Sequence, residues 1–291
     1  MAKELLKLGI PAGSLKKGTV GLFEKAGFSI TEAGRSYMPR IDDEQVRLVC
    51  LRAQEMSRYV ADGVLDAGLT GYDWITENDS DVIEVCELIY SKDTGGPARW
   101  VLAVPNESPV VKPEDLQGGI VATELVNATA KYFAAKNVDV KVEFSWGATE
   151  AKARLVDAIV ELTETGSSLE ANNLRVVDTV ITSTTRLIAN KTAWRDKFKR
   201  SKTESIALLL KAALAARHLV GLKMNVMKDD LDKILKLLPA EKSPTVSSLA
   251  DPRYAAIEVV VSDKVERTLV PALNRAGASG IITYPLNKVI H

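Results

Sequence analysis

Short apolar runs alternate with stretches whose apolar residues recur every three or four positions. Residues 5–10 read as a first strand, 11–15 as a turn, and 19–26 as a helix with Val20, Leu22 and Phe23 inward. Residues 46–51 read as a strand running into a helix over 52–60. Residues 65–69 form a further strand ending in Thr70-Gly71-Tyr72-Asp73-Trp74, and 82–88 another. Strands alternating with helices predict a mostly parallel sheet covered on both faces, an α/β fold. Ligands of such sheets lie beyond the carboxyl ends of the strands, where Arg52, Gly71 and Asp73 fall.

Residues 91–97, Ser-Lys-Asp-Thr-Gly-Gly-Pro, have the composition of a linker. A second α/β unit opens at 98–105, with strands at 119–122 and 138–144 around a helix over 126–136. Thr123-Glu124-Leu125 and Ser145-Trp146-Gly147-Ala148 sit at strand ends. The long apolar segment 176–188 is expected to lead back to the first unit. That gives a discontinuous lobe I (1–92 and 179–212) and a lobe II (93–178). Residues 191–217 read as one long helix. After it come a strand at 220–226, a helix over 228–238, strands at 245–249 and 254–261, a helix over 264–276 and a last strand at 280–284. This βαββαβ order predicts a ferredoxin-like domain, placed at 213–291.

Composition narrows the classes. The chain has 291 residues, room for two or three domains, with 46% hydrophobic and 26% charged residues, as in soluble globular proteins. Lys+Arg and Asp+Glu are equal at 38 each, so no basic field argues for nucleic acid as a partner. Cys50 and Cys86 lie in apolar runs and read as buried thiols in a reducing cytosol. His218 and His291 suggest neither a histidine-rich metal centre nor a catalytic dyad. With no signal peptide and no membrane-spanning run, a cytoplasmic protein without a membrane partner is expected.

The candidate chemistry centres on residues 157–169. Ala158 to Val160 suit the end of a buried strand, 163–168 is a hydroxyl-rich turn, and 169–174 reads as a short helical piece. Free backbone N–H groups and the positive end of a helix dipole make such a joint a phosphate cradle, to which Thr165, Ser167 and Ser168 add hydroxyl donors. Asp157 and Glu161, just before it, suit ribose hydroxyls or a magnesium-bound water. The other reading is a strand–turn–helix joint whose hydroxyls only cap the helix.

The turn around Gly166 resembles the phosphoribosyl pyrophosphate (PRPP) loop of the phosphoribosyltransferases, and more closely that of the ATP phosphoribosyltransferases, which open histidine biosynthesis. Two further regions carry the resemblance. One is Arg52-Ala-Gln54, Tyr59-Val60, Gly63, Asp66, Gly68, Thr70-Gly71 and Asp73. The other is Ser243-Pro-Thr245-Val246 with Gly280-Ile281-Ile282. The loop Gly34-Arg35-Ser36-Tyr37 also matches, whereas Ala12-Gly13-Ser14 replaces the basic Lys-Gly-Arg of many members.

The resemblance covers essentially the whole chain and implies the long form of the family. That form has two lobes of type II periplasmic-binding-protein architecture and a ferredoxin-like regulatory domain. Its activity is attack of ATP N1 on C1 of PRPP, with release of pyrophosphate. Arg35 and Arg52 would then neutralise pyrophosphate, and Thr165, Gly166, Ser167 and Ser168 would hold the ribose 5-phosphate. Asp157 and Glu161 would face the ribose. Gly13, Ser14 and Asp73 would lie on the ATP side. Mg²⁺ would arrive with PRPP. Asn225, Thr245, Val260 and Gly280 would line a pocket for histidine as feedback inhibitor, in a homo-oligomer of dimer or hexamer type. The competing class is a two-lobed small-molecule sensor without catalysis.

Overall fold

The structure, a computed structural model, describes residues 4–31, 37–90, 96–239 and 244–290. The chain divides into two compact units, Met1–Leu208 and Leu209–His291.

The first unit opens with β1 (Leu6–Pro11), α1 (Lys16–Ala26), β2 (Ile30–Thr31), β3 (Arg40–Ile41) and β4 (Val46–Leu51). Then follow α2 (Ala53–Ala61), β5 (Ala67–Gly71), α3 (Tyr72–Glu77) and β6 (Ile83–Leu88). The second lobe comprises β7 (Ala98–Pro105), β8 (Ile120–Thr123), α4 (Val126–Ala135), β9 (Lys141–Phe144), α5 (Thr149–Lys152), β10 (Ala158–Thr163), α6 (Ser167–Ala171) and β11 (Leu174–Ser183). The chain then returns through β12 (Thr185–Ala189), α7 (Lys191–Arg195) and α8 (Lys197–Ala215).

Two five-stranded sheets result, ordered β4-β1-β5-β12-β6 and β11-β7-β10-β8-β9. In each, four strands run parallel and the antiparallel one, β12 or β7, arrives from the other lobe. This is the two-lobed, type II periplasmic-binding-protein arrangement. Near-continuous apolar runs become strands buried on both faces. In β1 only Lys7 is exposed. Two glycines bring α2 onto the first sheet: a Cβ on Gly9 would lie 2.2 Å from Met56 Sδ, and one on Gly68 would lie 2.8 Å from it. The second lobe centres on Trp100, Leu102, Phe133 and Val160.

The helix expected over 191–217 is two helices. Asp196 is extended (φ −75°, ψ 122°), and its Oδ1 accepts from Lys199 N at 3.0 Å, capping α8. Asn190 caps α7 in the same way, accepting from Thr192 N at 2.8 Å and Ala193 N at 3.0 Å.

The second unit continues from the end of α8 with β13 (Leu219–Met227), α9 (Leu231–Leu235), β14 (Thr245–Ser248), β15 (Tyr254–Ser262), α10 (Asp263–Arg275) and β16 (Ser279–Pro285). The sheet is antiparallel, ordered β14-β15-β13-β16, the ferredoxin-like arrangement. The helix expected over 228–238 is shorter, a 3₁₀ turn at Lys228–Asp230 followed by α9. Period-two alternation sends Leu222, Met224, Val226, Ile257 and Val259 to one face, against Ile234 and Leu273. The other face exposes Val260 and Ile282.

Candidate active site

A cavity of about 240 Å³ opens where the two lobes of the first unit meet. Gly13 and Ser14, after β1, line it with Arg52, after β4. Gly13 has a left-handed backbone (φ +79°), and a Cβ there would stand 3.7 Å from Arg52 Nη1. The loop therefore lies directly against the guanidinium. From the second lobe come Glu124, after β8, and Glu161, within β10. Burial pushes the Glu161 carboxyl up. Hydrogen bonds from the Thr149 hydroxyl and from Leu162 N (2.9 Å) oppose that, and the neighbouring Glu150 and Glu124 add to it.

The hydroxyl-rich loop follows β10 at the same edge. Gly166, left-handed at φ +86°, precedes α6 and donates its N–H to Thr163 Oγ1 at 2.7 Å. The hydroxyls of Thr165 and Ser167 share a hydrogen bond of 2.9 Å, and Ser168 Oγ donates to Glu150 Oε1 at 2.5 Å. Glu164 lines the cavity, whereas Thr165 to Ser168 lie outside its lining.

One expectation is corrected by geometry. Asp157 lies at the opposite edge of the sheet. β10 runs on to Thr163, so a residue preceding its first position lies a full strand length from the loop. Its Oδ2 accepts from Ile120 N at 2.8 Å, tying the starts of β8 and β10 together. Asp73 lines the cavity, yet its carboxylate is already engaged. Oδ2 accepts from Trp100 Nε1 at 2.7 Å, and Oδ1 accepts from Ser183 Oγ at 2.9 Å and Trp74 N at 3.0 Å. Asp73 therefore braces the cavity wall that it lines, with both carboxylate oxygens already accepting hydrogen bonds. Burial pushes its carboxyl up, against the pull of those donors. Arg35 lies outside the described residues.

α3 bridges the lobes. Trp74 packs edge-on against Trp100, ring centroids 5.9 Å apart. Glu77 caps the start of α4, accepting from Asn127 N at 3.0 Å and Ala128 N at 2.9 Å. The positive end of α4, otherwise a natural anion site, is thereby occupied by a carboxylate of the first lobe. On its other side α3 holds α2, with Ser57 Oγ donating to Trp74 O at 3.0 Å and Asn78 Nδ2 to Gln54 O at 2.8 Å. Sequence reading gave no role to Trp100, Ser183, Glu77 or Glu150. The only available signals were Glu124 and the 145–148 turn falling at strand ends.

A family model described as "HisG: ATP phosphoribosyltransferase" matches residues 52–212, and one described as "HisG, C-terminal domain" matches residues 216–288. The chain belongs to the ATP phosphoribosyltransferase family. The ATP phosphoribosyltransferase of Chlorobaculum parvum is 54% identical over 290 residues, 99% of each chain. That of Thermodesulfovibrio yellowstonii is 54% identical over 291 residues, 100% of each. Among solved structures, the chain resembles one from the ATP phosphoribosyl transferase (HisG:HisZ) complex of Thermotoga maritima. The TM-score is 0.60 at 27% identity, covering 71% of this chain and 99% of that one.

Within this ATP phosphoribosyltransferase family member, Asn225, Thr245, Val260 and Gly280 fall on the open face of the C-terminal sheet. Asn225 pairs with Ala256 and with Ser279, Thr245 with Glu258, and Val260 with Gly221. A register shift between Lys223 and Asn225 brings Gly280 beside Asn225, where a Cβ would lie 3.4 Å from Nδ2. Tyr284 donates to Glu258 Oε1 at 2.6 Å on this face, and Lys223 Nζ stands 3.4 Å from the same oxygen. Among the described residues, no group of three or more His, Cys, Asp or Glu could hold a metal ion, and no helix is long and apolar enough to cross a membrane.

Proposed function

We propose that the lobes of this transferase hold ATP and PRPP across the cavity, with the following division of roles. The chain catalyses the first step of histidine biosynthesis. N1 of ATP bonds to C1 of PRPP as the bond from C1 to the pyrophosphate oxygen breaks, and the pair from that bond leaves on pyrophosphate. Arg52 carries the assignment on the leaving-group side: its guanidinium fork lies against Gly13 at the cavity wall, where a pyrophosphate has room to approach the backbone. Arg35 would add a second cation. Opposite, Glu161 faces the ribose hydroxyls, and Gly166 to Ser168 with Thr165 receive the 5-phosphate. Gly13, Ser14 and Asp73, all in the cavity lining, form the ATP side. As C1 becomes cationic and pyrophosphate gathers charge, positioning and electrostatics carry the step without a histidine base.

Mg²⁺ brought by PRPP would supply positive charge against that of pyrophosphate. Glu161 and Glu124, both in the cavity lining, would hold it through acceptors for its water shell. The division into lobe I (1–92, 179–212), lobe II (93–178) and a regulatory domain (213–291) assigns histidine to the open face around Asn225, Thr245, Val260 and Gly280. A homo-oligomer in a reducing cytoplasm completes the reading. The test is product formation from ATP, PRPP and Mg²⁺, followed by ultraviolet absorbance with pyrophosphatase present, with and without histidine. Turnover suppressed by histidine supports both chemistry and regulation. Turnover insensitive to histidine removes the regulatory assignment. No turnover by folded protein that binds ATP removes the transferase reading.

A further inference from the structure

The loop 163–168 already holds a negative charge that is not a ligand's. Ser168 has one hydroxyl proton to donate, and it goes to Glu150 Oε1 at 2.5 Å. A phosphate offers Ser168 only acceptor oxygens. The hydroxyl cannot donate to the phosphate and to Glu150 at once, and a half-buried carboxylate beside a phosphate dianion repels it.

Glu150 owes its place to the scaffold and not to the loop. It sits in the first turn of α5, entered through Ala148, a non-glycine residue in the left-handed region (φ 49°, ψ 43°). That conformation costs about 1–2 kcal/mol and is sustained by its surroundings. Next to Glu150, the buried Thr149 hydroxyl lies 3.0 Å from Ser145 Oγ and also hydrogen-bonds Glu161. One short turn therefore grips the end of β9, the ribose-side carboxylate and the loop together.

We propose that Glu150 is a positioning residue that pre-orders the PRPP loop by standing in for the substrate's phosphate at Ser168, and that it yields the hydroxyl when PRPP binds. This rests on the reading of that loop as the cradle for the ribose 5-phosphate. The cost is affinity, since the incoming anion must displace one already hydrogen-bonded there. The gain is a loop that is ordered before the substrate arrives.

The two roles of the carboxylate, acceptor and charge, separate by substitution. Glu150→Gln keeps an acceptor for Ser168 and removes the charge. Glu150→Ala removes both. Calorimetric titration of the full chain with Mg²⁺-PRPP, in the absence of ATP, is expected to show about threefold or more tighter binding for Glu150→Gln and weaker binding by a similar factor for Glu150→Ala. Titration with ATP should give the same affinity in all three proteins. In a Ser168→Ala background, the gain from Glu150→Gln should vanish. If Gln and Ala shift PRPP affinity in the same direction, or neither shifts it, Glu150 is not a stand-in anion, and the loop assignment survives. If the unaltered protein binds no Mg²⁺-PRPP, the loop assignment itself fails and the inference with it.

Discussion

The indole N–H of Trp100 donates to Asp73 Oδ2 across 2.7 Å, joining the strand that opens one lobe to the helix that ends a strand of the other. Ser183, on the returning strand, donates to the second oxygen of the same carboxylate. Three chain segments thus meet at one buried acid. Asp73→Ala leaves three donors without an acceptor and is expected to destabilise the first unit by about 3 kcal/mol, read from urea unfolding. The pH dependence has a definite sign. The Asp73 carboxyl is raised above 3.8 in the folded state. Its contribution to stability is therefore full below that value and is lost as pH rises through the raised one. Subtracting the Asp73→Asn stability curve from that of the unaltered protein should leave this falling slope. A flat difference would mean the carboxyl is not raised.

Glu77 gives a second, separable link between the lobes. Both its oxygens cap α4, so Glu77→Ala removes two hydrogen bonds from one helix start. The expected loss is about 1–2 kcal/mol. Glu77→Gln keeps one acceptor and should lose about half as much. Equal loss in the two variants would point to packing of the side chain and away from the cap.

Arg52→Ala should lower the chemical step on the order of a hundredfold, with a far smaller change in ATP affinity. Single-turnover mixing separates the two. An unchanged rate with weakened ATP binding would move Arg52 to the nucleotide side.

In the second unit, Gly280 is left-handed (φ +57°) and its Cβ position abuts Asn225 Nδ2 at 3.4 Å. Gly280→Ala is expected to cost about 1–2 kcal/mol in that unit and to weaken the proposed inhibition by histidine, while turnover without histidine stays unchanged. Inhibition curves at fixed ATP and PRPP check this, and an unshifted curve would remove Gly280 from the inhibitor site.

Periodicity made the parallel strands legible, because burial on both faces forces apolar runs, and it placed Arg52 and Glu124 at strand ends. It also made the C-terminal unit legible, through alternation in Leu222, Met224 and Val226. It failed where one polar residue decides an outcome. Asp196 breaks the long helix although the apolar spacing runs on across it. Glu161 and Leu162 carry β10 past its obvious apolar run, and that extra length puts Asp157 at the wrong edge. The braces were invisible for another reason. Trp100 is 27 residues from Asp73, and Ala128 is 51 from Glu77. No local pattern marks a partner so far along the chain.

α3 belongs to neither sheet alone, being bonded to α2 on one side and to Trp100 and α4 on the other. Two separate cores joined by such a shared element lose their independence. The amide protons of α3 and of the first turn of α4 are expected to exchange with solvent only when both lobes open, and the first unit to melt as a single cooperative body with two sheets. Substitutions in either core would then be felt in both.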